Sequence, residues 1–510
     1  MPWLTLPESR TDLAPSFLEP VGARAWLAAQ PQASALAMVQ LLDKEIEAID
    51  GAGLAPAIAL ELLNLLRSAA VPALVNIESR FFRKALPLPD EEERSFEASR
   101  RLWTSLGIAY LRLAPHFPSS DKALPLNRAA SALRMAQYCH FLAARQNPPE
   151  LDRWLFAILA QAESSNVLRE PLTDPDFHNL GEANIAGHLA WAFLLRIIDP
   201  YRLSATQLIV TNRAISRWRE LAAFQVERDS DPKSVSIDLK PLFDAPLPEG
   251  IPRWLGVRTV LRKLRQRIDA LHNDASPESL KLGRELSASA CIRLLKEIES
   301  SLRAPQRATS TEVGEVDIAF GNENAYALFA DEFLNAAATL DSSSASLAHQ
   351  RMALFGFDRA SQMPNAVKKI NVPVEAWNIV DGMAVRPREF NDIRRQAPCL
   401  IASRQHGKPY LGILFGLQTR DDGVLTAGLQ WYDERVEAGW LKRAPHEQRV
   451  PKVPAFLLND GDDISLILPA STGVRLGVGL ALEGTSVEHL IPAEVLERGF
   501  DFVRYACRRA

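Results

Sequence analysis

Apolar and polar positions follow two different periods along this chain, and the change between them falls near residue 310. Upstream, apolar side chains recur every three or four residues. In residues 33–49 Leu36, Val39, Leu42 and Ile46 form one stripe, and in residues 56–71 Ile58, Leu62, Leu65 and Ala69 form the next. The same spacing predicts helices over 90–114, 124–146, 149–165, 180–198 and 204–227. The breaks between them are Pro118-Ser119-Ser120-Asp121, Asn147-Pro148-Pro149 and Asp199-Pro200. Helices in series with short connections pack as antiparallel neighbours, in a closed bundle or an open solenoid.

Residues 231–345 read as a joint. Val235, Ile237 and Leu239 alternate like a single strand, and a Pro-rich connector follows at 244–250. Helices are predicted over 255–273 and 277–303, the second with Ser276 as N-cap and Pro277 in its first turn. A strand over 316–320, a helix over 324–340 and a Ser-rich linker at 341–346 complete the segment.

Beyond it the period drops to two. Leu411, Ile413, Phe415 and Leu417 alternate, as do Leu425, Ala427, Leu429 and Trp431, with turn residues at Gly407-Lys408-Pro409 and Asp421-Asp422-Gly423. That pattern predicts antiparallel strands joined by hairpins. Further strands are expected at 455–458, 464–468 and 473–482, then either a helix from about 492 or a strand over 500–505. The fold expected is therefore a multidomain α + β chain: a helical domain over 1–230, a linker strand with a helical middle region over 231–345, and an antiparallel β-barrel with extra C-terminal strands over 346–510.

Composition narrows the function classes. With 510 residues, 47% hydrophobic and 24% charged, the chain is globular and too long for one core. A net charge of -4 gives no footprint for general nucleic-acid binding, although it leaves room for a pocket that takes one small anion. The four cysteines are scattered without a CxxC pair, which predicts reduced thiols and a cytoplasmic setting. No basic-then-apolar leader and no run of about 18 uninterrupted apolar residues is present, so membrane insertion is not expected. Hydrolase elbows, phosphate loops and zinc-protease motifs are missing from the sequence. His178, Glu182 and His188 are spaced so that they do not share one helical face, which argues against a metal site and for a non-enzymatic protein.

At residues 377–386 the sequence Trp377-Asn378-Ile379-Val380-Asp381-Gly382-Met383-Ala384-Val385-Arg386 resembles the strand and turn of PilZ domains, where a hydrophobic strand runs into [D/N]-x-S-x-x-G. The strands at 399–402, 410–417 and 423–431 resemble those that follow in PilZ barrels. Upstream, 199–203 and 236–239 resemble parts of the helical region of a bacterial group of PilZ-containing proteins. The resemblance implies a PilZ-like barrel, a role in cyclic-di-GMP signalling and an association with type IV pili and surface behaviour.

Cyclic-di-GMP carries two phosphodiesters and two guanines, so a receptor needs guanidinium forks for phosphate and for stacking. The resemblance assigns these to an RxxxR motif before the strand and to the turn. This chain departs from both: Met383 stands at the Ser position, Arg386 at the Gly position, and no RxxxR precedes the strand. The candidate nucleotide or anion site is then Arg351, Arg359, Lys368, Lys369, Asp381, Arg386 and Arg388. The function expected is a signalling adaptor whose degenerate PilZ-like domain works through contacts with protein partners; the alternative is a true cyclic-di-GMP receptor using these non-standard cations.

Overall fold

The computed structural model describes residues 4–30, 34–178, 181–231, 233–240, 253–304, 314–335, 371–390, 392–442, 451–460 and 463–510. Two compact units emerge: Met1–Arg307 with Gln418–Gly423, and Ala308–Leu417 with Val424–Ala510.

The first unit is built from α1 (Pro20–Ala28), α2 (Ala35–Gly51), α3 (Pro56–Phe81), α4 (Asp90–Leu113), α5 (Ala123–Ala143), α6 (Pro149–Ser164), α7 (Ile185–Ile198) and α8 (Ala205–Trp218). Helix starts carry the expected signals. Ser34 accepts from the Ala37 amide, Asn184 from Gly187, and Ser204 forms a reciprocal capping box with Gln207. Asp90, Glu91, Glu92 and Glu93 fill the first turn of α4, where the helix dipole favours negative charge. Helix α5 is the axis of the unit: it packs against α3, α4, α6 and α7, and small residues such as Ala129, Ala130, Ala132 and Ala136 let those helices approach it. Helix α3 is long and apolar enough to cross a bilayer by composition alone, but its Leu62, Leu66, Ala70 and Ile77 are buried in this bundle.

The short strands β1 (Leu172–Thr173) and β2 (Glu182–Ala183) lie between α6 and α7. A small antiparallel sheet of β3 (Ala223–Gln225), β4 (Ser236–Asp238) and β5 (Trp254–Gly256), in the order β3-β5-β4, precedes α9 (Arg258–His272) and α10 (Ala288–Arg303). The predicted helix over 277–303 begins eleven residues late. Ser276 closes only a turn onto the Ser279 amide, Gly283 takes φ 103, and Ser287 is the N-cap. Uninterrupted three-and-four spacing starts only at Cys291, Leu294, Leu295 and Ile298, which are buried as α10 packs against α9, whose Leu264 and Ile268 are buried too.

The second unit corrects the expected boundary at 346. The strand predicted at 316–320 is β6 (Gly314–Phe320); followed by α11 (Asn322–Ala330), it pairs with β7 (Glu375–Val380) and β9 (Cys399–Gln405). Together with β8 (Met383–Val385), β10 (Lys408–Thr419) and β11 (Leu425–Trp431) they close a barrel in the order β10-β11-β8-β7-β6-β9. The remaining strands are not additions to it. β12 (Arg435–Leu441), β13 (Pro454–Asp460), β14 (Asp463–Pro469), β15 (Leu480–Glu483), β16 (His489–Arg498) and β17 (Phe502–Arg509) close a second barrel, ordered β12-β13-β14-β17-β16-β15.

Residues 492–498 belong to β16, not to a helix: Pro492 sits beside a register shift, where a missing amide does least damage. The glycine-punctuated stretch before Leu480 is a turn, with Gly473 and Gly477 at positive φ. One apolar cluster joins the barrels, with Leu400, Leu411 and Ile413 of the first packed together with Phe456, Leu458, Ile467 and Phe502 of the second. Asp501 marks the same junction, accepting from the Leu400 amide at 2.9 Å; burial pushes its pKa up to about 6.

Candidate functional site

The turn singled out in the sequence is a two-residue hairpin. Val380 pairs with Met383, and Asp381 and Gly382 take φ 51 and 74, the left-handed pair that a type I′ turn requires. Asp381 is exposed at its tip. Arg386, one residue past β8, is 1% exposed and turned into the barrel. Its guanidinium donates to the Ile393 carbonyl at 2.7 Å and to Glu375 at 3.2 Å, beneath the Trp377 ring at 5.8 Å. Glu375 also accepts from Arg395 Nε at 3.0 Å and from Trp377 Nε1 at 3.2 Å, and Arg395 lies 4.1 Å over the Phe320 ring. Burial lowers the Arg386 pKa, and the Glu375 charge opposes that shift.

Asp381 and Arg386 therefore do not converge on one site. Arg386 is the buried half of an ion pair, and Arg388 sits on an exposed short turn at Arg388–Phe390. Arg351, Arg359, Lys368 and Lys369 fall outside the described residues.

The helical unit holds a denser concentration of charge. Arg67 projects from the middle of α3, and Arg128, Ser131 and Arg134 recur every third residue along α5; all four are buried. The connection after β1 brings two carboxylates onto them. Asp174 accepts from Arg67 at 3.0 and 2.5 Å and lies 2.7 Å from Arg128, while Asp176 pairs with Arg67 as well. Burial alone would raise the Asp174 pKa, but the Arg67 hydrogen bonds and the Arg67 and Arg128 charges outweigh it and hold the group below its ordinary value. From the same connection Phe177 lies 5.3 Å from the Arg67 guanidinium and 6.4 Å from Trp103, ring to ring.

Arg134 is treated differently. It is 2% exposed and stacks over Trp191 at 3.7 Å, and among the described residues no carboxylate is paired with it. Burial first, then the Arg219 and Arg67 charges, push its pKa down to about 9. His188 on α7 is 1% exposed with both ring nitrogens lacking a partner. Burial, then the charges of Arg134, Arg219, Arg67 and Arg128, hold it neutral, far below its ordinary pKa. A buried cation without a counter-charge costs several kcal/mol, on the order of 3–5, so this arrangement suits an added anion. Its chemistry is that of phosphate recognition: planar forks for oxygens, and indole faces beside them.

Sequence reading missed this cluster, yet a signal was there. Arg67, Arg128, Arg134 and His188 each interrupt a helix that is otherwise apolar or small-residue on nearly every side. In such a helix a charged residue has little solvent to reach and is carried inside, where it must be paired or functional.

Residues 21–230 match the family model described as the cyclic-di-GMP receptor FimW, N-terminal domain. The match covers the helical unit from α1 past α8, including Arg67, Arg128, Arg134, Asp174 and His188. No curated protein and no solved structure matches the chain.

Proposed function

We propose that this chain is a non-catalytic signalling effector that binds cyclic-di-GMP and passes the signal on through contacts with protein partners in the bacterial cytoplasm. The observation that carries the reading is the match of residues 21–230 to the receptor's N-terminal domain, together with a buried arginine cluster that lies within the matched span. In this proposal the first barrel is a PilZ-like domain whose nucleotide motif has been rebuilt for stability. The position at which the motif has glycine is filled by Arg386, and that guanidinium is held by Glu375. Its part in pilus-related surface behaviour is the role that the PilZ resemblance implied.

Isothermal titration of the full chain with cyclic-di-GMP tests the reading. Heat with a dissociation constant in the micromolar range or tighter is expected; silence up to about 100 µM nucleotide from the parent and from an Asp176→Asn variant alike contradicts receptor function. Exchanging Arg388 for Asp should leave the affinity within about twofold of the parent, because the barrel turn is not the reading surface in this account.

A further inference from the structure

We propose that Arg67, Arg128 and Arg134 of the helical unit form the grip for a cyclic dinucleotide, and that Asp174, Asp176 and Phe177 occupy that grip when it is empty of nucleotide. The proposal rests on the reading that the chain binds cyclic-di-GMP, and it adds where and how.

The residues after β1 reproduce the chemistry of a nucleotide within four positions. Asp174 and Asp176 lay carboxylate oxygens on the Arg67 and Arg128 forks, where phosphate oxygens would go, with Asp174 2.7 Å from Arg128 and 3.0 Å from Arg67 Nη1. Phe177 supplies a flat ring 5.3 Å from the Arg67 guanidinium and 6.4 Å from the Trp103 ring, the kind of surroundings that a base takes up beside cations and aromatic side chains. The substitution is incomplete on the charge side. Arg67 and Arg128 take up the Asp174 and Asp176 carboxylates between them, and Arg134 is left with an indole face as its partner. Neutral His188 adds two unpartnered ring nitrogens to the same neighbourhood, one a donor and one an acceptor, able to bond phosphate oxygen or a base edge.

Space argues in the same direction. The cleft beside Phe177, lined by Val71, Leu74, Trp103, Met135 and Cys139, has an interior of about 20 Å³, room for a single water. The Arg67 and Arg128 forks are already taken by Asp174 and Asp176, so a nucleotide that uses them must displace those carboxylates. The nucleotide and the two carboxylates therefore compete for the same guanidiniums. Weakening the internal ligand should tighten binding of the external one, whereas a network serving only to hold the helices together predicts no such gain.

The test is titration of the full chain and two variants with cyclic-di-GMP, with thermal unfolding as the control for folding. Asp176→Asn, which removes one competing charge from a partly exposed side chain, is expected to bind about tenfold tighter than the parent. Arg134→Met is expected to keep or raise the unfolding temperature, since no ion pair is broken, and to bind at least about tenfold more weakly. Should the Met variant not fold, Arg134→Lys, which keeps the charge and loses the planar fork, is expected to weaken binding in the same direction. A parent that is silent and an Asp176→Asn variant that binds would also support the proposal, because the internal carboxylates would then be closing the site. If the parent binds and these variants bind equally well, the grip lies elsewhere and only this inference falls. Silence from the parent and from Asp176→Asn overturns both the inference and the receptor reading.

Discussion

Acidification from pH 7 to about pH 5 is expected to remove about 4 kcal/mol of stability from the helical unit through two histidines. His140 and His188 are both buried and uncharged. Burial first, with the nearby Arg100 charge, pushes His140 down to about 3; burial and the Arg134, Arg219, Arg67 and Arg128 charges put His188 well below its ordinary value. In the unfolded chain each takes a proton near pH 6.5, so below that pH the unfolded state binds more protons than the folded one and stability falls as pH falls. Each group contributes about 1.4 kcal/mol per pH unit, or about 2 kcal/mol at pH 5.

Carboxyls raised by burial in the same unit, among them Asp43, Glu78 and Asp199, gain stability on acidification and oppose the trend, mostly nearer their own lower range. The clean readout is therefore a difference. Denaturant unfolding of His140→Phe and His188→Leu across this pH range should show each variant about 2 kcal/mol less acid-sensitive than the parent. His140 already packs edge-on against Phe96 at 5.3 Å, so an aromatic replacement retains that contact. Equal pH slopes for parent and variants would mean that these imidazoles reach water in the folded protein.

The second large effect belongs to the first barrel. Glu375→Ala is expected to cost about 3–5 kcal/mol, because it strips the carboxylate from Arg386 and leaves that guanidinium buried beside Trp377 with the Ile393 carbonyl as its remaining acceptor among the described residues. Removing both partners should cost far less. Glu375→Leu combined with Arg386→Met replaces a desolvated ion pair by apolar side chains of similar size, and its loss should fall clearly below that of Glu375→Ala. Arg395, a quarter exposed as a side chain, can turn to solvent once Glu375 is gone. Chemical denaturation of the parent and the two variants checks the ordering; a double variant as unstable as Glu375→Ala would show that the pair contributes net stability rather than satisfying a buried charge.

Much of the architecture was legible in the chain because its two periods are clear. Stripes such as Leu36, Val39, Leu42 and Ile46 placed α2 to within two residues, and the turn residues around Gly407 and Gly423 marked the connections from β9 to β10 and from β10 to β11, where both glycines take positive φ. What was lost lay in long-range pairing. Nothing local to Gly314–Phe320 announces that it closes a barrel with strands some sixty to eighty residues onward, so it was grouped with the helices before it. One barrel was likewise expected where two exist, since both have the same alternation and the register that separates them is set by which strands meet. The candidate site was read least well. Arg386 was grouped with the candidate anion-binding cations because it stands at the turn motif's Gly position, whereas Glu375, eleven residues earlier, draws it into the barrel. The arginines of α3 and α5 were passed over because they stand alone in apolar sequence, which is the reason they end up buried together.

The central claim, that the helical unit reads the nucleotide while the turn of the first barrel does not, is tested most directly by hydrogen exchange on the full chain with and without saturating cyclic-di-GMP. The account predicts slower exchange in the segments of α3 and α5 around Arg67, Arg128 and Arg134, faster exchange over residues 172–178 as their carboxylates are displaced, and no change over residues 375–390. Protection confined to residues 375–390, with the helical segments unaltered, would contradict it.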